Sequence, residues 1–232
     1  MKYTAFVPAR SGSKRLPDKN IKILAGKPLA VWTLEALVNA NRIDKVIFST
    51  DSIAYWELIK EYVVSDKLVL DLRDSEDAGD NVKILDYLKN NNEKIFTNVD
   101  DSFVLALPTA PLRKTHHIND ALDLYESHEK SVFSAAEYNF PVSFAFKKTN
   151  FDWKPVFDKS PLITGNTRSQ DQDHVYHPNG AIYIRPIEDL RANLPTLYVD
   201  AVPYIMNEID STDIDKEIDF LFAESLFAFN LK

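Results

Sequence analysis

The chain has 232 residues, enough for one full hydrophobic core and a small appendage but short for two independent domains. Its 45% hydrophobic, 27% charged and 12% aromatic residues are those of a globular protein rather than a disordered or fibrous one. The net charge of -8 argues against a broad nucleic-acid or anionic-membrane surface, and the lack of cysteine removes disulfides, thiolate zinc sites and a cysteine nucleophile. Any metal must therefore sit on oxygen or histidine. No run approaches the roughly 18 to 20 apolar residues of a membrane span, and Met1 and Lys2 lead straight into a short apolar stretch. The expectation is a cytoplasmic protein with no membrane or nucleic-acid partner.

In chain order, Tyr3 to Pro8 reads as a strand, followed by a polar loop and then a helix from Pro28 to Ala40. A second strand at Lys45 to Thr50 ends at Asp51 and is followed by a helix to about Val63, with another strand at Lys67 to Leu70. A helix from about Asp80 to Leu88 precedes the apolar run Phe103 to Leu107, which breaks at Pro108. After a helix at Ile118 to His128 and a strand near Ser131 to Ala136, residues 138 to 178 hold strand-like pieces, aromatics and polar turns. These read as an arm inserted in the sheet. Ala181 to Ile184 and Tyr198 to Val202 read as strands. A closing helix is expected with Ile214, Ile218, Leu221, Phe222, Leu226 and Phe229 at helical spacing. Alternating strands and helices predict a mostly parallel sheet covered on both faces, with ligands gathering outside the carboxyl ends of its strands. That places Arg10, Asp51 and Pro108-Thr109 near one crevice.

The loop after the first strand is the strongest chemical signal. Arg10, Lys14, Arg15, Lys19, Lys22 and Lys27 face a single acid, Asp18, so an island of +5 sits in a chain of -8. Charge runs are usually solvated surfaces, but this one leaves a strand, carries Ser11-Gly12-Ser13 and leads towards a helix. Such loops cradle phosphates with backbone N–H groups and cations. The Gly-x4-Gly-Lys-Ser/Thr and Gly-x-Gly-x-x-Gly spacings are both missing, so neither a P-loop nor a dinucleotide fold is indicated.

The string PARSGSKRLPDKNIK resembles the signature of the acylneuraminate cytidylyltransferases, PAR-x-x-SK-x-(L/I)-x-x-KNI. The resemblance continues in order through Ser49-Thr50-Asp51, Pro108-Thr109-Ala110-Pro111-Leu112-Arg113, Asn179-Gly180-Ala181-Ile182-Tyr183-Ile184 and Asp213-Ile214-Asp215. It implies a Rossmann-like nucleotidyltransferase α/β fold over residues 1–232, with 138–178 as a dimerisation and substrate arm. It also implies a Mg2+-dependent reaction of CTP with an acidic nine-carbon, sialic-acid-like sugar, giving CMP-sugar and pyrophosphate, in a homodimer. On this resemblance Arg10, Ser13, Lys14, Lys19 and Asn20 hold the triphosphate, and Arg73, Asp80 and Val82 face the cytosine. Arg168 and Tyr183 meet the sugar, and Asp213 and Asp215 hold Mg2+. Arg10, Lys19 and Asp215 are the catalytic set.

By their residue types alone, Arg73 reads equally as a surface arginine and Tyr183 as a core aromatic. Ser211-Thr212 before two acids reads equally as a helix start, with Thr212 and Asp215 at capping-box spacing. His116 and His117 at a helix start point about 100° apart and suit capping or surface roles. Departures from the family pattern leave the sugar open, including legionaminate. Leu107 stands for a glutamine, Ala110 for a serine and Ile84 for a base-contacting serine. Pro141-Val142-Ser143 lacks a lysine that binds the sugar carboxylate, and Lys147, Lys148, His174 and His177 are candidates to replace it. The alternatives are activation of another acidic sugar such as 3-deoxy-octulosonate, or a nucleotide-sugar binding module without turnover.

Overall fold

The first apolar run forms β1 (Tyr3–Pro8) in the computed structural model, which describes residues 3–74, 76–79, 82–96 and 102–230. A hairpin of β2 (Ile23–Leu24) and β3 (Lys27–Pro28) follows the basic loop and leads into α1 (Leu29–Val38). Then come β4 (Ile43–Thr50), α2 (Ile53–Tyr62), β5 (Leu68–Leu72), α3 (Ile84–Asn90), α4 (Asn92–Ile95) and β6 (Ser102–Leu105). The second half runs α5 (Thr115–His128), β7 (Ser131–Glu137), the arm, β10 (Tyr176–Pro186), α7 (Glu188–Arg191), β11 (Ala201–Ile205) and α8 (Glu217–Asn230). Within the arm lie the hairpin β8 (Phe146–Lys148) and β9 (Trp153–Pro155) and the single turn α6 (Pro161–Thr164).

Seven strands form one sheet in the order β11-β7-β10-β6-β1-β4-β5. Only β10 runs antiparallel, pairing with β6 on one side and β7 on the other. The expected mostly parallel sheet is therefore found. Near-continuous burial along β1, β4 and β6 is what double coverage demands of central parallel strands. One core packs α1, α2 and α5 on one face, and a second packs Tyr87, Leu88, Ile95, Phe96, Ile187 and Leu190 on the other. A third, smaller cluster joins Leu16, Leu24, Leu29, Leu112 and Ile214 to Phe220, Ala223 and Phe227 of α8.

The closing helix differs from the sequence expectation. It begins at Glu217, so Ile214 lies before it, and its inward face is Phe220, Ala223 and Phe227 with Leu226 partly buried. Ile218, Leu221, Phe222 and Phe229 remain 67%, 49%, 55% and 80% exposed. The reason lies in its neighbours. Phe227 packs on Trp32 at 4.2 Å between centroids, and Lys22 Nζ sits 4.7 Å over the Phe220 ring, fixing which of two apolar stripes turns inward. The last strand also shifts, from Tyr198–Val202 to Ala201–Ile205. Arg185 Nη1 donates to the carbonyls of Leu197 and Val199 at 2.9 Å each, which occupies acceptors a strand ladder would need. The helix expected from Asp80 starts at Ile84, and Asp80 itself lies outside the described residues.

At the start of α5 the main-chain N–H of Lys114 donates to His117 Nδ1 at 3.0 Å, so Nε2 carries the ring proton and points at Asp210 Oδ2, 3.3 Å away. This is the capping role expected for the pair, but His117 is buried while doing it. Burial first, then the neighbouring His116, push its pKa from 6.5 to about 4 against the pull of Asp210. The folded state thus refuses a proton that the unfolded chain accepts, so stability present above pH 6.5 is lost as the pH falls towards 4. Urea denaturation between these values should show a stability slope that His117→Gln flattens. An equal slope in both proteins would mean that His117 titrates normally in the fold.

Candidate active site

The carboxyl ends of β1, β5 and β6 open onto a cavity of about 500 Å3. The sequence-predicted residues Arg10, Ser13, Lys14, Lys19, Asn20, Arg73 and Val82 all line it, together with Arg15, Ile84, Leu107, Pro108 and Thr109. Of the six cations counted in the basic run, two are committed to structure. Lys22 pairs with Glu217 at 2.8 Å, and Lys27 pairs with Glu35 while lying over the Trp32 ring. The remaining four, Arg10, Lys14, Arg15 and Lys19, face the cavity.

The loop carrying them is tied down at both ends. Asp51, at the end of β4, accepts from Ser11 N and Ser11 Oγ at 2.7 Å each, and Asn20 Nδ2 donates to the Arg10 carbonyl at 3.0 Å. Burial works to raise the Asp51 carboxyl, but the Ser11 hydrogen bonds and the Arg73 charge outweigh it and leave its pKa below the ordinary range. Arg10 Nη1 reaches the Ala78 carbonyl at 3.3 Å, and Tyr55 Oη holds Asp18, whose φ of 52° lies in the left-handed region, at 2.6 Å.

Arg73 is buried rather than a surface arginine. Its Nη2 donates to the Ser49 carbonyl at 3.2 Å and its guanidinium lies 5.4 Å from the Tyr87 ring centre. Tyr87 in turn donates to Asp71 Oδ2 at 2.8 Å, and Ser49 Oγ donates to the same oxygen at 2.7 Å. Burial lowers the Arg73 pKa despite Tyr87, Asp51 and Asp71 nearby, and its Nε finds no hydrogen-bond partner among the described residues. The side chain as a whole nevertheless lines the cavity.

Across from the cations, Asp213 and Asp215 stand before α8 rather than in it. The helix start is held by Asp219, whose Oδ2 accepts from Asp215 N at 3.0 Å and Lys216 N at 2.8 Å, so Thr212 and Asp215 form no capping box. Thr109 grips the turn through its main chain, receiving Ile214 N on its carbonyl at 2.8 Å, and its hydroxyl works to lower the Asp213 carboxyl. Lys19 Nζ holds the Ile214 carbonyl at 2.6 Å and Asp215 Oδ1 at 3.3 Å, and Arg15 Nη1 reaches Asp215 Oδ2 at 2.7 Å. The surface of Asp213 is open to solvent, yet the protein crowding its carboxyl raises its pKa, with Thr109 opposing.

Among the described residues no three His, Cys, Asp or Glu side chains gather to hold a metal alone. Two carboxylates on one turn, facing cations able to hold phosphates, nevertheless fit Mg2+, which takes hard oxygen ligands from one or two carboxylates and the substrate. The exposed Arg15–Asp215 pair is worth only about 0–1 kcal/mol and opposes such a ligand weakly.

Other predicted residues lie elsewhere. Tyr183 is buried in the second core, with its hydroxyl 3.2 Å from that of Tyr198, and does not line the cavity. Arg168 lies on the exposed arm near Asp171, and Lys147 and Lys148 are exposed on the β8–β9 hairpin. His174 pairs with Glu137, and His177 joins Asp213 in lining a neighbouring depression. Arg15 was within reach of sequence reasoning as a member of the basic run. The Thr109 grip and the Asp71–Tyr87 support for Arg73 connect distant segments and left no sequence signal.

A doubly covered, mostly parallel sheet with a cationic loop at its carboxyl edge defines an α/β protein with an anion-suited cavity at that edge. The family model described as "Cytidylyltransferase" matches residues 4–181. The chain is 34% identical over 224 residues to an N-acylneuraminate cytidylyltransferase of Escherichia coli, covering 96% of this chain and 51% of that protein. It is 31% identical over 234 residues to a CMP-N,N'-diacetyllegionaminic acid synthase of Legionella pneumophila, covering 99% and 98%. In fold it is similar to a CMP:2-keto-3-deoxy-manno-octonic acid synthetase complexed with CTP, with a TM-score of 0.68, 16% identity and coverage of 99% and 100%. The chain belongs to the cytidylyltransferase family. It spans about half the length of the Escherichia coli relative and nearly all of the Legionella one.

Proposed function

We propose that the chain transfers the cytidylyl group of CTP to the anomeric hydroxyl of a nonulosonic acid and releases pyrophosphate. The observation that carries this reading is a cavity lined by four cations and the buried Arg73, two of whose cations, Arg15 and Lys19, reach Asp215 at its edge. The sugar hydroxyl attacks the α-phosphorus, the bond to the β-phosphate breaks, and the hydroxyl loses its proton. Arg10, Lys14 and Lys19 stabilise the charge that grows on the non-bridging oxygens and the departing pyrophosphate. Ser13 and Asn20 shape the loop around the triphosphate. The Arg73 guanidinium suits an acceptor on the cytosine edge, with Val82 beside the base. Asp213 and Asp215 would hold Mg2+, which neutralises phosphate charge when bound.

The sugar is of the sialic acid class, and legionaminate-type acids belong in any test because the match to the Legionella synthase runs the length of both chains. A nonpolar Leu107 at the cavity wall, where the family signature has glutamine, also supports a sugar other than N-acetylneuraminate. We place the enzyme in the cytoplasm as a homodimer without nucleic-acid or membrane partners. Phe140, Phe146, Phe151, Trp153 and Phe157 are all exposed on the arm, more apolar surface than a free excursion should leave in water. A partner's arm would cover it and bring Arg168 to the sugar's carboxylate, with Tyr183 supporting the pocket from below.

Incubation with CTP, Mg2+ and a panel of nonulosonic acids should release pyrophosphate for at least one sugar and poorly with ATP, GTP or UTP. CTP binding without release for any acid would instead favour a binding module, and release only with 3-deoxy-octulosonate would favour the other sugar class. Asp215→Asn should lower the melting temperature only modestly, since the Arg15 pair is exposed and the buried Lys19 keeps the Ile214 carbonyl, while turnover falls by about two orders of magnitude or more. Activity close to that of the unaltered protein would remove Asp215 from the metal site. Light scattering at micromolar concentration should give a dimer mass. A fully active monomer is incompatible with the shared arm.

A further inference from the structure

Arg113 is a buried charge for which the chemistry above has no use. It ends the loop that follows β6, is 2% exposed, and meets no carboxylate among the described residues. Burial alone pushes its guanidinium down to about 9. An apolar side chain would fill the same space without desolvating a cation, so stability does not account for it.

The fork supplies directed donors. Nη1 donates to the Ala181 carbonyl at 2.5 Å and the Leu107 carbonyl at 3.3 Å, and Nη2 donates to the Thr33 hydroxyl. One planar group thus pins β10, α1 and the start of its own loop, with charge-assisted bonds at fixed angles that a lysine cannot reproduce. Inside that loop sits Thr109, whose carbonyl holds Ile214 N at 2.8 Å, between the two aspartates. The cations Arg10, Lys14 and Lys19 and the base-side Arg73 stand on other segments.

We propose that Arg113 is a positioning residue, closing the Leu107–Arg113 loop so that Thr109 presents the Asp213–Asp215 turn to the metal and triphosphate. The inference rests on reading the cavity as a CTP and metal site.

The test measures Mn2+ binding by EPR on the CTP-bound protein beside CTP affinity without metal and the melting temperature, in Arg113→Met, Arg113→Lys and Thr33→Val. Mn2+ affinity should fall about 10-fold or more in both Arg113 variants, as for other residues that orient metal ligands, while CTP affinity changes little. Thr33→Val removes one contact of the fork and should give a smaller loss in the same direction, which decides the matter should Arg113→Met fail to fold. Unchanged Mn2+ affinity in the folded variants overturns the proposal. Full retention in Arg113→Lys does so too, because charge alone would then suffice, and so does a joint fall of both affinities with the melting temperature. If the unaltered protein holds no Mn2+ in the presence of CTP, the metal-site reading fails first and the inference falls with it.

Discussion

Three loops with charged tips are held together by a hydrophobic cluster no larger than a few side chains. Leu16 comes from the basic loop, Leu112 from the loop after β6, and Ile214 from between the two aspartates, and all three are buried with Phe220, Ala223 and Phe227 of α8. Burying each such side chain is worth about 1.5–3 kcal/mol, whereas an exposed pair such as Arg15–Asp215 contributes about 0–1 kcal/mol. The apolar anchors therefore set where the charges stand, and the ion pairs only trim their positions. This order of strengths suits a site whose charges must exchange partners when a ligand arrives, because the frame does not depend on them.

The same cluster fixes the turn that carries two aspartates separated by one residue. On a helix they would diverge, and the sequence pattern could not decide between a helix start and a ligand pair. Ile214 is turned inward, with its N–H and carbonyl taken by Thr109 and Lys19, so the aspartates on either side of it stand before the helix rather than on it. Asn179 secures the approach to this turn, donating to Ser211 Oγ at 2.9 Å while its own carbonyl oxygen accepts from Ser134 and Ala181. Gly180 has a φ of +73° and sits where a side-chain carbon would press on Leu107 at 3.1 Å, so a side chain there would be strained.

Much of the architecture was legible because parallel strands announce themselves as short apolar runs separated by helical spacing. The basic loop was legible too, since six cations beside one acid in an acidic chain require a purpose. Other features were hidden for physical reasons. The closing helix carries two apolar stripes, and periodicity cannot say which one meets Trp32. The side-chain capture of two carbonyls by Arg185 moved the last strand in a way that propensity does not encode. Arg73 could be singled out but not explained, because the residues that buttress it come from β4, β5 and α3.

The arm leaves the sheet after Glu137 and returns at Tyr176, and those two residues are register partners in the pairing of β7 with β10. Its two ends are therefore adjacent, closed by Tyr138 N donating to the Val175 carbonyl at 3.0 Å. An excursion that begins and ends on neighbouring strands can lengthen, shorten or change sequence without altering strand order or the registration of the sheet beneath it. The cavity edge, at the ends of β1, β5 and β6, shares no element with it. Two parts of the molecule can thus diverge at different rates, each following the ligand or surface it must meet.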